Sequence, residues 1–270
     1  MLIENWQITS LGKEDIPQAA ALSRSFLWPH QPSDWDFMLA LGTGWKVAQG
    51  DDLLGTLMCW TYGRDQAALG MIMTRSDMQR RRIGKQLMDH AFAELPDRQL
   101  SLIATREGQP LYKKCGFRVS GEITKSQGQS LGASETGEVI TDATLDAISV
   151  LDCSHSGLDR RDLLAALMKV SDVALIRGEG YALCRPFGPG RVIGPVMASD
   201  EEAAKALIAH FLRRYKGEIM RIDTPTQHDL ADWLNTHGLT PVDTAVAMAR
   251  GDSGPPDKRG VIALISQAFG

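Results

Sequence analysis

At 270 residues and 29.5 kDa the chain is long for one ordinary domain and short for three, so two domains are expected. Hydrophobic residues at 43%, charged residues at 23% and a mean hydropathy of -0.16 exclude wholesale disorder and a bundle of spanning helices. Lys and Arg number 29 against 33 Asp and Glu, a formal charge of -4; this speaks against a general binder of nucleic acid or anionic membrane and makes any anion site local.

An extended start over 2–9 is broken by Glu4, Asn5 and Gln7, so neither a signal nor a transit peptide is read there and a cytoplasmic location is expected. Ile16, Ala19, Ala20, Leu22 and Ser23 recur at helical spacing, and a second helix is predicted over 34–41. Strands follow over 45–49, 53–61 and 67–74, the first two joined by the turn residues Gly50-Asp51-Asp52. From Arg82 the stripe Ile83, Leu87, Met88, Ala91, Phe92 and Leu95 predicts a helix that Pro96 ends. A strand over 100–104, a short helix over 108–114 and a strand over 117–123 close a unit of ordinary domain size.

Residues 124–138 are rich in Gly, Ser and Thr with no aromatic, the composition of a connection, so the domains are placed at 1–130 and 137–270. The second half reads as helices over 144–151 and 160–169, strands over 173–176, 181–185 and 191–198, a helix over 199–215, a strand over 218–223, a helix over 228–237 and a strand over 240–249. That order repeats the first half, with Gly194 standing where Gly70 does and Gly238 where Gly116 does, as in two diverged copies of one unit.

Cys59, Cys115, Cys153 and Cys184 lie far apart and read as plain thiols. The histidines His30, His90, His155, His210, His228 and His237 lack ligand spacing, so no metal is expected.

The most informative segment is the turn Gln79-Arg80-Arg81-Arg82-Ile83-Gly84-Lys85 between a strand and an amphipathic helix. Cations crowded at a helix N-terminus, where positive charge is disfavoured, make sense when an anion binds the exposed N–H groups there. The bland alternative is a solvated basic turn. A P-loop is ruled out, because no glycine stands five residues before Gly84 and Gln86 replaces the Ser or Thr; a GxGxxG fingerprint is also absent.

This turn resembles the pyrophosphate loop of the GCN5-related N-acetyltransferases (GNAT), whose pattern is Gln or Arg, two residues, Gly, one residue, then Gly or Ala. Gln79 and Gly84 fit, and Arg82 stands at the first glycine. The family's second element, a Leu-Tyr pair followed by Gly-Phe, is similar to Leu111-Tyr112-Lys113-Lys114-Cys115-Gly116-Phe117. The resemblance implies an α/β fold of two tandem GNAT-like domains, each a mixed, mostly antiparallel central sheet flanked by helices. It further implies acetyl-CoA between splayed strands 70–74 and 100–105, the latter ending at Thr105. Backbone N–H groups of Met71, Ile72 and Met73 would hold pantetheine and polarise the thioester, and the amides of Arg80, Arg81, Arg82, Ile83, Gly84 and Lys85 would take the pyrophosphate. Tyr112 would protonate the departing thiolate as general acid, since a phenol is protonated at pH 7 yet able to donate; packing of the short helix is its plain alternative.

The second half places Leu234 at the Tyr112 position and opens its helix with Ser199-Asp200-Glu201-Glu202, a capping sequence that would repel pyrophosphate. It resembles the degenerate C-terminal half of a bacterial tandem subfamily, which implies a structural or substrate-binding role. The Gly- and Pro-rich run from Pro186 to Pro195 reads as turns and a bulge ahead of a pocket. Gly128-Gln129-Ser130-Leu131-Gly132 matches GxSxG without the strand-turn-helix context of a nucleophile elbow. Asp152-Cys153-Ser154-His155 holds triad residue types without triad geometry.

Trp28, His30 and Tyr62 are the acceptor-side candidates, with His30 in the loop between the first two helices as a base for an ammonium; Trp28, Trp35 and Tyr62 are read as lining the same cleft, with core packing the alternative for each. The expectation is an acetyl-CoA-dependent N-acetyltransferase acting on a small-molecule or protein amine, with no nucleic-acid or membrane partner and a homodimer left open. The alternative is a non-catalytic acyl-CoA-binding or sensing module.

Overall fold

The computed structural model describes residues 6–134, 139–251 and 260–269. Strand β1 (Ile8–Ser10) realises part of the extended start; residues 2–5 lie outside the described residues. Helix α1 (Ile16–Ser25) buries Ala19, Ala20, Leu22 and Ser23, and α2 (Pro32–Leu41) opens on Pro32 with the Gln31 N–H donating to Asp34 at 2.7 Å. Strands β2 (Thr43–Gln49), β3 (Asp52–Tyr62) and β4 (Gln66–Thr74) form an antiparallel meander turned at Gly50, whose φ of +59° suits glycine. Helix α3 (Ile83–Glu94), β5 (Gln99–Ala104), α4 (Gln109–Lys114) and β6 (Arg118–Gln129) complete the first half.

The second half repeats the sequence of elements. It runs α5 (Leu145–Ser156), α6 (Arg161–Met168), β7 (Asp172–Ile176), β8 (Gly180–Phe187), β9 (Gly190–Ala198), α7 (Glu201–Arg214), β10 (Ile219–Pro225), α8 (Ala231–Thr236), β11 (Thr240–Arg250) and β12 (Val261–Ala263).

The strands form one continuous sheet in the order β1-β2-β3-β4-β5-β11-β6-β10-β9-β8-β7, with β12 beside β9. Each half lends its late strand to the other. Strand β11 pairs antiparallel with β5 (Val246 opposite Ala104, Arg250 opposite Leu100), and β6 pairs antiparallel with β10 (Ile219 opposite Gln129, Pro225 opposite Ile123). The two exchanged strands also pair with each other.

The stretch 124–138, read as a connection, is therefore corrected in part: 124–129 is the end of β6, laddered on both sides as far as Gln127 and against β10 to Gln129. Small polar residues mislead there because the local packing requires them. Ser126 is fully buried, and any side chain at Gly128 would collide with the carbonyl oxygen of Gly238.

Apolar side chains gather on both sheet faces. Beneath α3 lies the cluster of Leu57, Leu69, Ile83, Leu87 and Leu102; beneath α7 lies that of Ile193, Leu207, Phe211 and Ile222. On the opposite face a shared cluster joins Ala19, Trp35 and Trp60 of the first half to Leu164, Tyr181, Met197 and Ile265 of the second.

Candidate active site

Strands β4 and β5 run parallel but pair only from Gln66 opposite Gln99 to Ala68 opposite Ser101. Beyond that point β4 continues to Thr74 alongside β3, while β5 stays with β11, so the two part. Within the parting, the β3–β4 register slips between Thr56 and Met58, and Met71 sits at φ +51°. The Thr56 hydroxyl donates to the Met71 carbonyl at 2.7 Å and fixes the bulge. Met71 and Met73 are buried while Ile72 is half-buried, so the three expected contacts lie on one bulged stretch.

From Thr74 the chain turns into α3. Arg80 and Arg82 both take φ +65°, and Arg82 precedes the helix without a side-chain cap. The arginine at the family's glycine position thus adopts the conformation that glycine would, at a cost of about 1–2 kcal/mol. The N–H groups of Ile83, Gly84 and Lys85 open the helix and lack intrahelical acceptors by construction. Gly84 lets the helix start come close to α4, since a Cβ there would sit 3.1 Å from Leu111 Cδ2. Lys85 pairs with Asp89 one turn on. Trp6, which sequence reasoning passed over, braces the loop: its indole donates to the Arg81 carbonyl at 3.1 Å and its N–H to Gln86 Oε1 at 3.0 Å.

At the end of β5, Thr105 starts α4 by accepting the Gly108 N–H on its carbonyl at 3.1 Å and on its hydroxyl at 3.3 Å. Tyr112 lies on α4 with its ring 6.2 Å from that of Phe117, and burial raises its phenol well above the ordinary value. Among the described residues its hydroxyl makes no hydrogen bond, and the residue is buried. Gly116 ends this helix at φ +85°.

On the acceptor side, Trp28 stands edge-on to His30 at 6.1 Å, and His30 edge-on to Phe187 at 5.5 Å. His30 is buried, and its pKa is pushed down to about 3, first by burial and then by the positive charges of Arg221 and Arg185. Burial beside two arginines thus weighs against the role of base expected of this ring. Tyr62 is buried too, and its hydroxyl donates to the Phe269 carbonyl at 2.7 Å, which makes it an anchor for the C-terminal segment. Trp35 is fully buried and donates to Ser23 Oγ at 3.2 Å.

His30 and Tyr62 line separate recesses, with Phe269 in the wall of each. The first is walled also by Asp34, Phe37, Arg185 and Ser266; the second by Ser101, Arg160 and Leu264. The Ala268 carbonyl closes on Gly70 and the Leu264 carbonyl on Gly194, so the matched glycines receive the same strand-crossing segment. Arg185, Asp34 and Phe269 escaped sequence reasoning; the one signal was a cation closing the apolar run Tyr181-Ala182-Leu183-Cys184.

The second half lacks these features. Asp200 caps α7 by accepting the Ala203 N–H at 2.9 Å, with Glu201 and Glu202 in its first turn, and Leu234 is fully buried. Ser130 is buried at the end of β6 and donates to the Leu212 carbonyl at 2.7 Å, so GxSxG forms no elbow. Asp152 is held by Arg160 at 2.6 Å and by Tyr181, so the neighbouring Cys153, Ser154 and His155 form no triad with it. Among the described residues no cluster of His, Cys, Asp or Glu is arranged to hold a metal, and no helix is long and apolar enough to cross a membrane.

A parted pair of parallel strands with a bulge beside it defines the acetyltransferase class of fold and is present twice, β4–β5 with the β3–β4 slip and β10–β9 with the β8–β9 slip, whereas the uncapped helix at its mouth belongs to the first half alone. Residues 41–119 and 148–263 each match a family model described as an acetyltransferase (GNAT) domain. The chain belongs to the GCN5-related N-acetyltransferase family, with two such domains in tandem. It is 26% identical over 242 residues to the uncharacterized N-acetyltransferase YitH of Bacillus subtilis strain 168, covering 84% of each chain. The same fold occurs in a crystal structure from Pyrococcus horikoshii ascribed to an acetyltransferase (TM-score 0.86, 18% identity, covering 100% of this chain and 98% of that one). It occurs also in a tandem GNAT protein of the clavulanic acid biosynthesis pathway (TM-score 0.66, 16% identity, covering 92% and 100%).

Proposed function

We propose that the first half binds acetyl-CoA and transfers its acetyl group to a primary amine, while the second half supplies structural support and part of the acceptor wall. The observation that carries this reading is the uncapped start of α3, flanked by αL residues Arg80 and Arg82, at the mouth of the β4–β5 parting. Successive N–H groups in such turns, aided by the helix dipole and exposed arginines, suit a pyrophosphate. In this reading the parting would take a pantetheine arm, and N–H groups of the Met71 bulge would polarise a thioester carbonyl. The corresponding helix of the second half is capped and acidic, so one cosubstrate per chain is expected.

In this reading a neutral amine forms the new nitrogen–carbon bond as the carbon–sulfur bond breaks, the amine proton leaves to solvent, and Tyr112 protonates the departing sulfur. Its high pKa keeps the phenol protonated at pH 7. Since burial and the neighbouring arginines leave His30 a weak base, the acceptor reaches the site as free amine or loses its proton to water.

Titration calorimetry with acetyl-CoA tests the binding half. One-to-one binding that weakens at least tenfold when Arg80, Arg81 and Arg82 are all replaced by Ala is expected; no heat and no competition by free CoA would remove the reading. Turnover against an amine panel tests the rest. Tyr112→Phe should lower kcat by roughly 10²–10⁴-fold with acetyl-CoA affinity unchanged, whereas tight binding without transfer to any amine would favour a sensing module.

A further inference from the structure

Three arginines are buried among the described residues: Arg160, Arg185 and Arg221. Two are neutralised. Arg160 grips Asp152 through Nε at 2.9 Å and Nη2 at 2.6 Å, and Arg221 grips Asp223 through Nη2 at 2.7 Å. Arg185, 5% exposed, has no such partner: its Nε bonds to nothing, and Nη1 donates only to the Pro186 carbonyl at 3.3 Å. A guanidinium does not shed its proton in a protein, so this is a buried cation with no carboxylate in direct contact, Asp34 and Asp223 acting on it only through space.

Its surroundings show what the counter-ion would be. The guanidinium carbon lies 5.3 Å from the Phe187 ring centre and 5.9 Å from that of Phe37, so two aromatic rings flank a flat donor fork. His30 Nδ1, in the same recess, also lacks a partner. Asp34 stands on another wall, but its carboxylate accepts the Gln31 N–H at 2.7 Å and makes no ion pair with Arg185 among the described residues. A single cation with no hydrogen-bonded carboxylate, set between two rings in a small recess beside Asp34, suits a planar monoanion and disfavours a phosphate dianion.

We propose that the acceptor is an amino-carboxylate and that Arg185, contributed by the second half, binds its carboxylate in this recess with His30 as a second hydrogen-bond partner. The inference rests on the acetyl-transfer reading for the acceptor's role, and on geometry alone for the anion site. Burial first, and then the charges of Arg221 and Arg185, depress His30, while burial pulls Arg185 down only to about 10, so the arginine stays charged at pH 7. Phe269 links the recess to the chemistry: it walls the recess and stacks 4.7 Å from Trp60, whose ring packs on Gly70 beside the Met71 bulge. The carboxylate and the reacting amine would therefore lie on either side of Phe269, and the spacing between them would select the acceptor.

The test uses matched pairs differing only in the carboxylate: glycine and methylamine, β-alanine and ethylamine, lysine and cadaverine. With the full chain and saturating acetyl-CoA, the carboxylated member of at least one pair should have a KM tenfold or more below its partner. Arg185→Gln should raise that KM at least tenfold while acetyl-CoA affinity, measured by calorimetry, is retained as the check on folding; Arg185→Lys should recover part of the loss. Equal KM values within every pair, or a loss confined to kcat, would overturn the proposal. A second measurement does not depend on turnover: calorimetry of N-acetylglycine, N-acetyl-β-alanine and Nε-acetyl-lysine with the wild-type protein. Binding of at least one, abolished in Arg185→Gln and absent for the matching N-acetylamines, is expected even if no amine is acetylated, an outcome that would sink the transfer reading alone. Binding of none would sink the carboxylate site.

Discussion

Arg82 shows how a residue can satisfy a backbone requirement against its own preference. At φ +65° it opens α3 without a side-chain cap, a conformation glycine adopts freely and a Cβ-bearing residue adopts at a cost of about 1–2 kcal/mol. Comparing Arg82→Gly with Arg82→Ala separates that strain from the lost charge. The Gly variant should be about 1 kcal/mol more stable than the Ala variant in urea unfolding, and both should bind acetyl-CoA more weakly than wild type. An Ala variant as stable as the Gly variant would show that the left-handed turn is not held in solution. His30 permits a second comparison. Its folded pKa of about 3 lies below the unfolded value, so its contribution is complete above pH 6.5 and is lost as pH falls toward 3, at a limiting slope of about 1.4 kcal/mol per pH unit. Between pH 7 and pH 5 the wild-type protein should therefore lose more stability than His30→Gln; equal losses would mean that the ring titrates normally.

Among the elements, the exchanged strands β6 and β11 carry the strongest structural consequence. Gly128 on β6 faces the Gly238 carbonyl so closely that a Cβ has nowhere to go. Gly128→Ala should cost about 1–3 kcal/mol, as overpacking does, and thermal unfolding should register it although the position reads as polar linker; an unchanged melting temperature would place β6 elsewhere. The helices and the first strands were legible because their apolar periodicity is set by one buried face, as along Ile83, Leu87, Met88 and Ala91. The left-handed turn before α3 and the short helix of Tyr112 were legible because their sequence patterns are local. The end of β6 was not, since Thr124, Lys125, Ser126 and Gln127 carry no alternation and owe their strand state to partners about 100 residues away. Arg185 and Phe269 meet His30 only through tertiary structure, so no spacing announced that recess.

Taken whole, the molecule has one sheet and a core face shared by both halves, so neither half is complete alone. A chain carrying only 1–134 would expose the β5 edge that β11 covers and would leave β6 without both its neighbours, an unprotected edge prone to association. The two pieces 1–134 and 135–270, expressed separately, should each aggregate or fail to bind acetyl-CoA, and co-expressed they should copurify and bind it. Cooperativity follows from the same exchange. The intact chain should unfold in a single transition, and acetyl-CoA at 100 times its Kd should stabilise it by about 2.7 kcal/mol. Because β6 lies between β11 and β10, that stabilisation should slow amide exchange in β9 and β10 as well as in β4 and β5 wherever exchange proceeds by global unfolding. Protection confined to the first half, with two separate melting transitions, would mean that the shared strands do not couple the halves and that the second domain folds independently of the site it walls.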